Sequence, residues 1–289
     1  EVTSVSVAPK ITGKYKGTNN ATGDVAPDYS FTNIAFRTDI NDDLSIAIIQ
    51  DEPFGAGVDW VTGTGAYTTV KAKIDTSATT LLVGYDLDNI TVYGGLKNQT
   101  FGASATVPIN STTLYSITST PDTSLGYVVG AAIERPEIAL RVALTYHTKV
   151  SHDVSVVEKI NGSAYPGSVL SADTPSSFNL DFQTGVAENT LLFGSVRSVQ
   201  WTQTALSPAV FSSAGVANKP LKKFTSDTIT YNVGLGRKFS DQWSGAVTYG
   251  TEAAEGTQGG PLGPTDGYSK MGVGVTYSGE QADITLGVQ

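Results

Sequence analysis

The side chains best suited to catalysis or metal binding are grouped in one short stretch of the chain, around His147 and His152. Ser151, His152 and Asp153 have the residue types of a hydrolytic triad, but they are direct neighbours, whereas a triad is assembled from positions far apart in the chain. The two histidines have no cysteine partners and no recognised ligand spacing to Asp153 or Glu158. The sequence therefore predicts a protein that is not an enzyme and has no cofactor or metal, with a hydrolase as a minor alternative.

The elements that carry these residues are predicted from side-chain alternation. Runs of apolar and polar residues with a period of two indicate β-strands with two different faces. Such runs occupy residues 140–149, 177–183, 228–236, 243–249, 271–277 and 284–288. In the first run Leu140, Val142, Leu144 and Tyr146 share the apolar face, and Arg141, Ala143, Thr145, His147 and Lys149 share the other. One face suits lipid and the other a polar lumen, so His147 is predicted to be a lumen residue.

The connections between these runs alternate in length. Short turns are predicted at residues 39–43, 86–89, 135–138, 187–189, 240–242 and 278–281, and long loops at 17–30, 51–67, 101–124, 151–175, 204–227 and 250–267. Short turns at one end and long loops at the other are typical of bacterial outer-membrane β-barrels. A soluble β-sandwich or adhesin, which is the alternative, has no reason to make every second connection short.

Composition agrees with a barrel. The chain is 39% hydrophobic with a mean hydropathy of −0.06, as expected when lipid-facing residues alternate with polar lumen residues. It contains no cysteine, which fits an oxidising cell envelope, and its net charge of −9 argues against nucleic acid. We predict one all-β domain over residues 1–289, a transmembrane antiparallel barrel in the bacterial outer membrane with about thirteen recognisable strands.

Six segments together resemble the FadL/TodX family of outer-membrane transport proteins. They are NIAFRTD at 33–39, PFGAGVDW at 53–60, GYVVGAAIERPEIALRVALTY at 126–146, PSSFNLDFQT at 175–184, GLGRKFSDQW at 234–243 and PTDGYSKMGVGVTY at 264–277. The resemblance implies a monomeric barrel of fourteen strands, plugged by an N-terminal hatch, that carries long-chain fatty acids or other hydrophobic compounds. It also implies capture in an apolar groove among extracellular loops and exit through a gap in the barrel wall.

The ends of the chain depart from the family pattern. The family's hatch, with its Asn-Pro-Ala signature, would precede the first strand, and it is not present here. Antiparallel closure needs an even number of strands. We therefore expect one further strand beyond Gln289, the alternative being that one of the thirteen recognisable strands is two strands or part of another.

Candidate binding residues follow from the chemistry of a fatty acid, which has an apolar tail and one carboxylate. By position along the family pattern, Lys97 lies where a head-group-binding residue falls, with Lys222 or Lys223 near a second. The alternation from Ile90 onwards puts Lys97 on the lumen face. The predicted substrate-binding residues are Lys97, Phe101, Arg141, Lys222, Lys223, Phe54, Trp60, Tyr115 and Phe211.

Each of these assignments has an alternative. The apolar loop residues could instead pack the loops into a cap, and the cations could be ordinary lumen charges or contacts to lipopolysaccharide. The whole protein could be a diffusive porin for small hydrophilic solutes or a surface binding or adhesion barrel. Fatty acids, alkanes and monoaromatic hydrocarbons all require an apolar path, so the substrate stays open.

Overall fold

The computed structural model describes residues 1–15, 19–61, 67–256 and 260–289, and parts of the predicted loops 17–30, 51–67 and 250–267 lie outside these ranges. The first ten strands of the described residues are β1 (Val2–Val7), β2 (Tyr29–Asp39), β3 (Leu44–Asp51), β4 (Gly55–Asp59), β5 (Lys71–Leu87), β6 (Ile90–Pro108), β7 (Leu114–Ser119), β8 (Asp122–Arg135), β9 (Leu140–His147) and β10 (Val150–Ile160). The remaining strands are β11 (Ser163–Thr174), β12 (Ser177–Ala187), β13 (Thr190–Val199), β14 (Ala205–Pro208), β15 (Lys222–Lys223), β16 (Thr228–Lys238), β17 (Trp243–Glu252), β18 (Tyr268–Ser278) and β19 (Asp283–Val288).

Three short 3₁₀-helices cover Pro136–Ile138, Trp201–Gln203 and Gly260–Leu262. Within the described ranges, no helix has the length and apolar character needed to cross a membrane.

The nineteen described strands form one antiparallel sheet in which several consecutive segments continue one another. For example, β6 pairs with both β7 and β8, which therefore follow one wall strand. The pairs β3/β4, β7/β8, β9/β10, β11/β12, β13/β14 and β15/β16 each follow one wall strand in this way, which leaves thirteen wall strands among the described residues. β1 pairs with β2 and β19 with β18, and these two strands lie at the edges of the described sheet. The hatch that the resemblance implies and the closing strand expected beyond Gln289 stay predictions.

The short turns are confirmed. β5 and β6 are joined by Asp88 and Asn89, and β12 and β13 by Glu188 and Asn189, with positive φ angles of 54° at Asp88 and 55° at Asn189. Asp and Asn tolerate this left-handed conformation better than most residues, which makes such tight hairpins possible. We call this end of the barrel the turn end and the opposite one the loop end.

Several predicted loops are wrong, because strands continue through them at the loop end. β6 extends to Pro108 and β7 begins at Leu114 inside the predicted loop 101–124, while β10 and β11 fill most of 151–175. β4 lies within 51–67, and β14 and β15 lie within 204–227. These segments are rich in Ser, Thr and Gly and resemble loops, but their inward side chains are largely buried, and many of them, such as Val154, Val156, Leu170 and Leu206, are apolar.

Part-way along the long strands β5, β6 and β8, the outward face of the wall changes from polar at the loop end to apolar nearer the turn end. On β5 the outward side chains of Leu81, Val83, Tyr85 and Leu87 are apolar, whereas those of Lys71, Lys73, Asp75, Ser77 and Thr79 are polar. Leu81 pairs with Leu96 and Thr79 with Asn98, so β6 changes at the same height. The outward residues 81–87 of β5 and 125–133 of β8 thus form part of an apolar belt, comparable with the roughly 9–11 tilted residues of a membrane-crossing strand.

The predicted apolar faces are confirmed as part of this belt. Their outward side chains are at least 37% exposed at Leu144, Phe178, Leu180, Ile229, Tyr231, Val233, Leu235, Trp243, Val247, Tyr249, Met271, Val273, Val275, Ile284, Leu286 and Val288. Apolar side chains exposed in a continuous band need a non-aqueous environment, which a bilayer supplies.

Above the belt, the interior of the loop end is filled by a packed apolar core. This upper core consists of Val25, Trp60, Val70, Phe101, Ala105, Val107, Tyr115, Ile117, Val154, Val156, Leu170, Ala172, Leu206 and Phe211. It joins strands β6, β7, β10, β11 and β14 to side chains from the connections between strands. The loop end is therefore a closed, water-exposed structure with an apolar interior.

Candidate functional site

The third wall strand is split where it passes the upper edge of the apolar belt. β3 pairs with β2 and β5, but β4, which continues it, pairs with β5 alone. The upper part of β2, residues 29–33, pairs with β1 on its other side. Among the described residues no second strand pairs with β4, so the described wall has an opening between the upper part of β2 and the segment that links β3 to β4.

The opening arises from one extra residue in the third wall strand. Asp51 pairs with Ala78 and Gly55 with Asp75. The third wall strand thus advances by four residues, from 51 to 55, where β5 advances by three, from 78 to 75. Such a bulge bends a strand, and Pro53, within it, has no N–H for a ladder hydrogen bond. The inward-facing Thr76 hydroxyl accepts a hydrogen bond from Phe54 N at 2.9 Å and donates one to Phe54 O. These bonds hold the bend towards the lumen.

The opening is bounded above and below. Below it, Ile34 of β2 pairs with Gln50 of β3. Above it, Asp59 N donates to Val25 O at 2.9 Å, and a Cβ at Gly57 would lie only 2.9 Å from Cγ of Pro27. The connection between β1 and β2 thus packs against β4 and closes the split from above, so the opening is a window rather than an open seam.

Aromatic and cationic side chains lie on the lumen side of the window. The Phe54 ring meets Trp201 edge-on with centroids 5.5 Å apart, and the Arg197 guanidinium carbon lies 5.6 Å from the Phe54 centroid. Trp201 in turn contacts Phe224 at 4.9 Å, and Lys222 Nζ lies 5.1 Å from the Phe224 centroid. Burial lowers the pKa of Lys222, which lies outside the membrane-spanning part. We call Phe54, Trp201 and Phe224 the aromatic bridge.

Charged groups that are wholly or partly buried lie in the lumen near Arg197, which contacts the aromatic bridge. Lys97 is 4% exposed and makes no ion pair within 4 Å among the described residues. Arg197 Nε and Asp51 Oδ1 are buried without a hydrogen-bond partner in the described part of the chain. Lys97, Arg197 and Asp51 lie close enough to interact electrostatically, and Glu252 also interacts with Arg197. Buried charges without full partners are costly, which indicates a site that accepts a polar ligand group.

The structure places the predicted binding residues in five different places. Lys97 is on the lumen face, as predicted, and Phe54 lies at the window. Phe101, Trp60, Tyr115 and Phe211 are buried in the upper core, where their packing matches the alternative of a cap. The three other cations are separate from Lys97: Arg141 bonds Glu134 at 2.8 Å near the turn end, while Lys222 and the exposed Lys223 lie on β15.

Arg197, Asp51 and Trp201 were not among the residues predicted from the sequence. Arg197 lies on β13, where Leu191, Leu192 and Phe193 interrupt the alternation that would have assigned its face. Asp51 is the first residue of a predicted loop, although in the structure it ends β3. The one available signal was the Asp-Glu-Pro-Phe sequence at 51–54, since proline inside a strand marks a bulge or an edge.

The Ser151, His152 and Asp153 group does not form a triad. His152 Nδ1 lies 3.1 Å from Asp122 Oδ2, its other ring nitrogen faces Gln99, and its ring stacks on Phe101. Ser151 points away from His152, on the outer face of β10. The described residues contain no group of three or more side chains that could hold a metal ion.

No family model and no curated protein sequence matches the chain. Solved structures do share its fold. A FadL homologue from Pseudomonas aeruginosa is 17% identical with a TM-score of 0.72, over 95% of this chain and 71% of that chain. The toluene transporter TodX from Pseudomonas putida is 9% identical with a TM-score of 0.64, over 97% and 78%. The translocator domain of the autotransporter NalP from Neisseria meningitidis is 14% identical with a TM-score of 0.51, over 96% and 85%.

These similarities show that the chain has the fold of large antiparallel outer-membrane β-barrels. Within that class it has the FadL/TodX fold, since a FadL homologue and toluene transporters match it with higher TM-scores than the autotransporter domain does. The resemblance predicted from the sequence is thereby confirmed at the level of fold.

Proposed function

We propose that this protein is a bacterial outer-membrane channel that takes up hydrophobic molecules and releases them sideways through the window in its wall. The observation that carries the proposal is the position of the window. It opens beside the aromatic bridge and at the upper edge of the apolar belt. There the outward residues of β2 and β3 change from the apolar Ile34 and Ile48 to the polar Thr32 and Gln50. An apolar molecule leaving there enters lipid without crossing water.

Long-chain fatty acids are the substrates that the charges favour. Lys97 is a buried cation, and Arg197, whose Nε is buried, lies beside the Phe54 ring. Asp51 interacts electrostatically with both cations and balances one of the two charges. A carboxylate head group could supply hydrogen bonds and charge to Lys97 and Arg197 while its tail lies along the aromatic bridge. Glu252, close to Arg197, opposes this attraction in part.

Monoaromatic hydrocarbons are the second substrate class to consider. Solved structures with this fold include chains described as toluene transporters and as monoaromatic hydrocarbon channels. The aromatic bridge is compatible with such ligands, but a neutral hydrocarbon gives no counter-charge to Lys97. This difference separates the two classes experimentally.

A diffusive porin for hydrophilic solutes is the alternative function. Asp51 and Arg197 project into the lumen beside an inward bend, and facing acidic and basic side chains at a constriction would suit a porin. The packed upper core argues against a permanently open aqueous path. Contact with outer-membrane lipid and lipopolysaccharide is part of our proposal, supported by the apolar belt and the polar outer face above it. A monomer is also part of the proposal, because the FadL/TodX resemblance implies one.

Uptake by whole cells tests the proposal. Cells that lack their own transporter and express this protein would be given labelled oleate, toluene or a small sugar in parallel. We expect uptake of oleate or toluene without sugar leakage. Sugar passage without hydrophobic uptake would instead establish a porin, and no uptake of any probe would leave a surface binding protein.

A further inference from the structure

The upper core closes the loop end, so a ligand that enters from this end must displace part of the core. Most of that core is carried by long paired strands. Residues 209–221 are different, because they join β14 and β15, strands of only four and two residues. They nevertheless insert Phe211, Ala217 and Leu221 into or against the upper core. We call residues 209–221 the lid.

The lid is bonded internally, and its backbone–backbone hydrogen bonds to the wall lie near its two ends, at Ala209, Ser212 and Leu221. Within it, Ala217 N donates to Phe211 O at 3.0 Å and Asn218 N to Ser213 O at 3.2 Å. Compact surface loops that are packed by their own residues are frequently functional. At its first residue, Ala209 N donates to Val169 O at 3.0 Å.

The carboxylate of Glu158, on β10, joins the lid to the wall. Its Oε1 accepts hydrogen bonds from Ser168 Oγ of the wall and from Val210 N of the lid, the latter at 2.9 Å. Its Oε2 accepts from Tyr115 OH of the wall and from Phe211 N of the lid, both at 2.8 Å. Each oxygen therefore has one donor from the wall and one from the lid, and Glu158 is completely buried.

We propose that the lid is the movable entrance of the channel and that Glu158 is the latch that holds it closed. Since this rests on the proposed function, the latch is tested separately from transport. When the lid lifts, Glu158 loses two donors at once and Phe211 leaves its contact with the Tyr115 ring, 4.7 Å away. A partly lifted lid would leave the Glu158 carboxylate without these donors and still without water, which is unfavourable. The lid is therefore either closed, with Glu158 bonded to it, or fully open, with Glu158 hydrated.

Cysteine labelling tests the latch, because the chain has no cysteine of its own. Ala172→Cys places a thiol in the upper core, where Ala172 is 2% exposed. Ser213→Cys places a thiol on the exposed side of the lid and gives the labelling rate of a fully accessible position. In whole cells without ligand, a membrane-impermeant maleimide should label Ala172→Cys slowly. Adding Glu158→Gln should raise that rate about tenfold, because the amide nitrogen cannot accept a hydrogen bond from the lid.

Glu188→Gln, in a turn at the opposite end, is the matched control and should leave the rate unchanged. Tyr115→Phe removes one wall donor while Glu158 stays, and it should raise the rate about threefold, which keeps the test decisive should Glu158→Gln fail to fold. An unchanged rate in the folded latch variants would overturn the proposal. So would faster labelling together with unaltered oleate and toluene uptake, since the lid would then lie off the route. If the unmodified protein takes up neither probe, the proposed function fails, and labelling still decides whether Glu158 latches the lid.

Discussion

Arg197 and Phe54 come from wall strands far apart in the barrel, yet the guanidinium carbon of Arg197 lies 5.6 Å from the Phe54 ring centroid. The contact depends on the inward bend, because Phe54 reaches the lumen through the bulge that Thr76 holds. A cation over an aromatic face is attracted by the ring, and the attraction is larger where water is excluded. The window and the charged lumen are therefore parts of one site.

Replacing the buried cations should change the preference between substrates. Lys97→Met and Arg197→Met each remove a charged partner for a carboxylate, whose hydrogen bonds contribute about 1.5–3 kcal/mol. We expect oleate uptake to fall about tenfold or more and toluene uptake to stay within about twofold. Competition between oleate and the corresponding alcohol measures the change. Arg237→Met, near the turn end, is the control, and equal loss of acid and alcohol would contradict the head-group assignment.

Deleting Pro53 should close the window. One residue fewer lets Asp51 and Gly55 continue the pairing of β3 and β4 with β5 in a single register, so the inward bend has no cause. We expect hydrophobic uptake to be abolished while the barrel still folds, as judged by its heat-dependent mobility on gels. Deletion of Ser111, in the turn between β6 and β7, is the comparison. Normal uptake after loss of Pro53 would show that substrates do not leave through this opening.

Gly95 should be intolerant of any side chain. A Cβ at Gly95 would lie 1.8 Å from the backbone oxygen of Leu81, whereas at Gly102, on the same strand, the nearest atom would be 3.8 Å away. Backbone cannot give way as a side-chain tip can, so Gly95→Ala should lower the free energy of unfolding by about 3 kcal/mol or more. Gly102→Ala should change it by less than about 0.5 kcal/mol. Urea unfolding in detergent or lipid vesicles compares the two.

Tyr115 should make the loop end sensitive to alkaline pH. Burial and the hydrogen bond to Glu158 raise the pKa of Tyr115 above its usual value of 10.0. The folded state thus keeps a proton that the unfolded chain loses, so the stabilisation is complete below pH 10 and declines as the pH rises above it. Unfolding of the upper core followed by tryptophan fluorescence from pH 8 upwards should show a decline that Tyr115→Phe reduces. Identical pH profiles would contradict this assignment.

The wall of the barrel could be predicted from the sequence because alternation has a direct physical cause. The lumen position of Lys97 follows from the opposite parity of Ile90, Val92 and Leu96, and all three are exposed on the belt. Tight turns such as Asp88-Asn89 were likewise predictable from residue type. Both signals are local and depend on a few neighbouring residues.

The loop end could not be predicted in the same way. Val154 and Val156 alternate with Ser155 and Asp153 as a strand requires, but the polar residues there face water, and their composition resembles that of a loop. The window was also missed, because it depends on the register between β3 and β5. Register joins residues distant in the chain, and no single segment encodes it.

The exchange of polarity along the wall has a consequence for assembly. If β5 paired one residue out of step, the side chains of Lys71 and Asp75 would turn into the apolar upper core, while those of Leu81 and Val83 would leave the bilayer. A misregistered strand is thus destabilised in two places, because charged side chains lose contact with water at the loop end and apolar side chains lose contact with lipid in the belt. Neither loss compensates the other. The two solvents together select the register in which the strands of the barrel can pair.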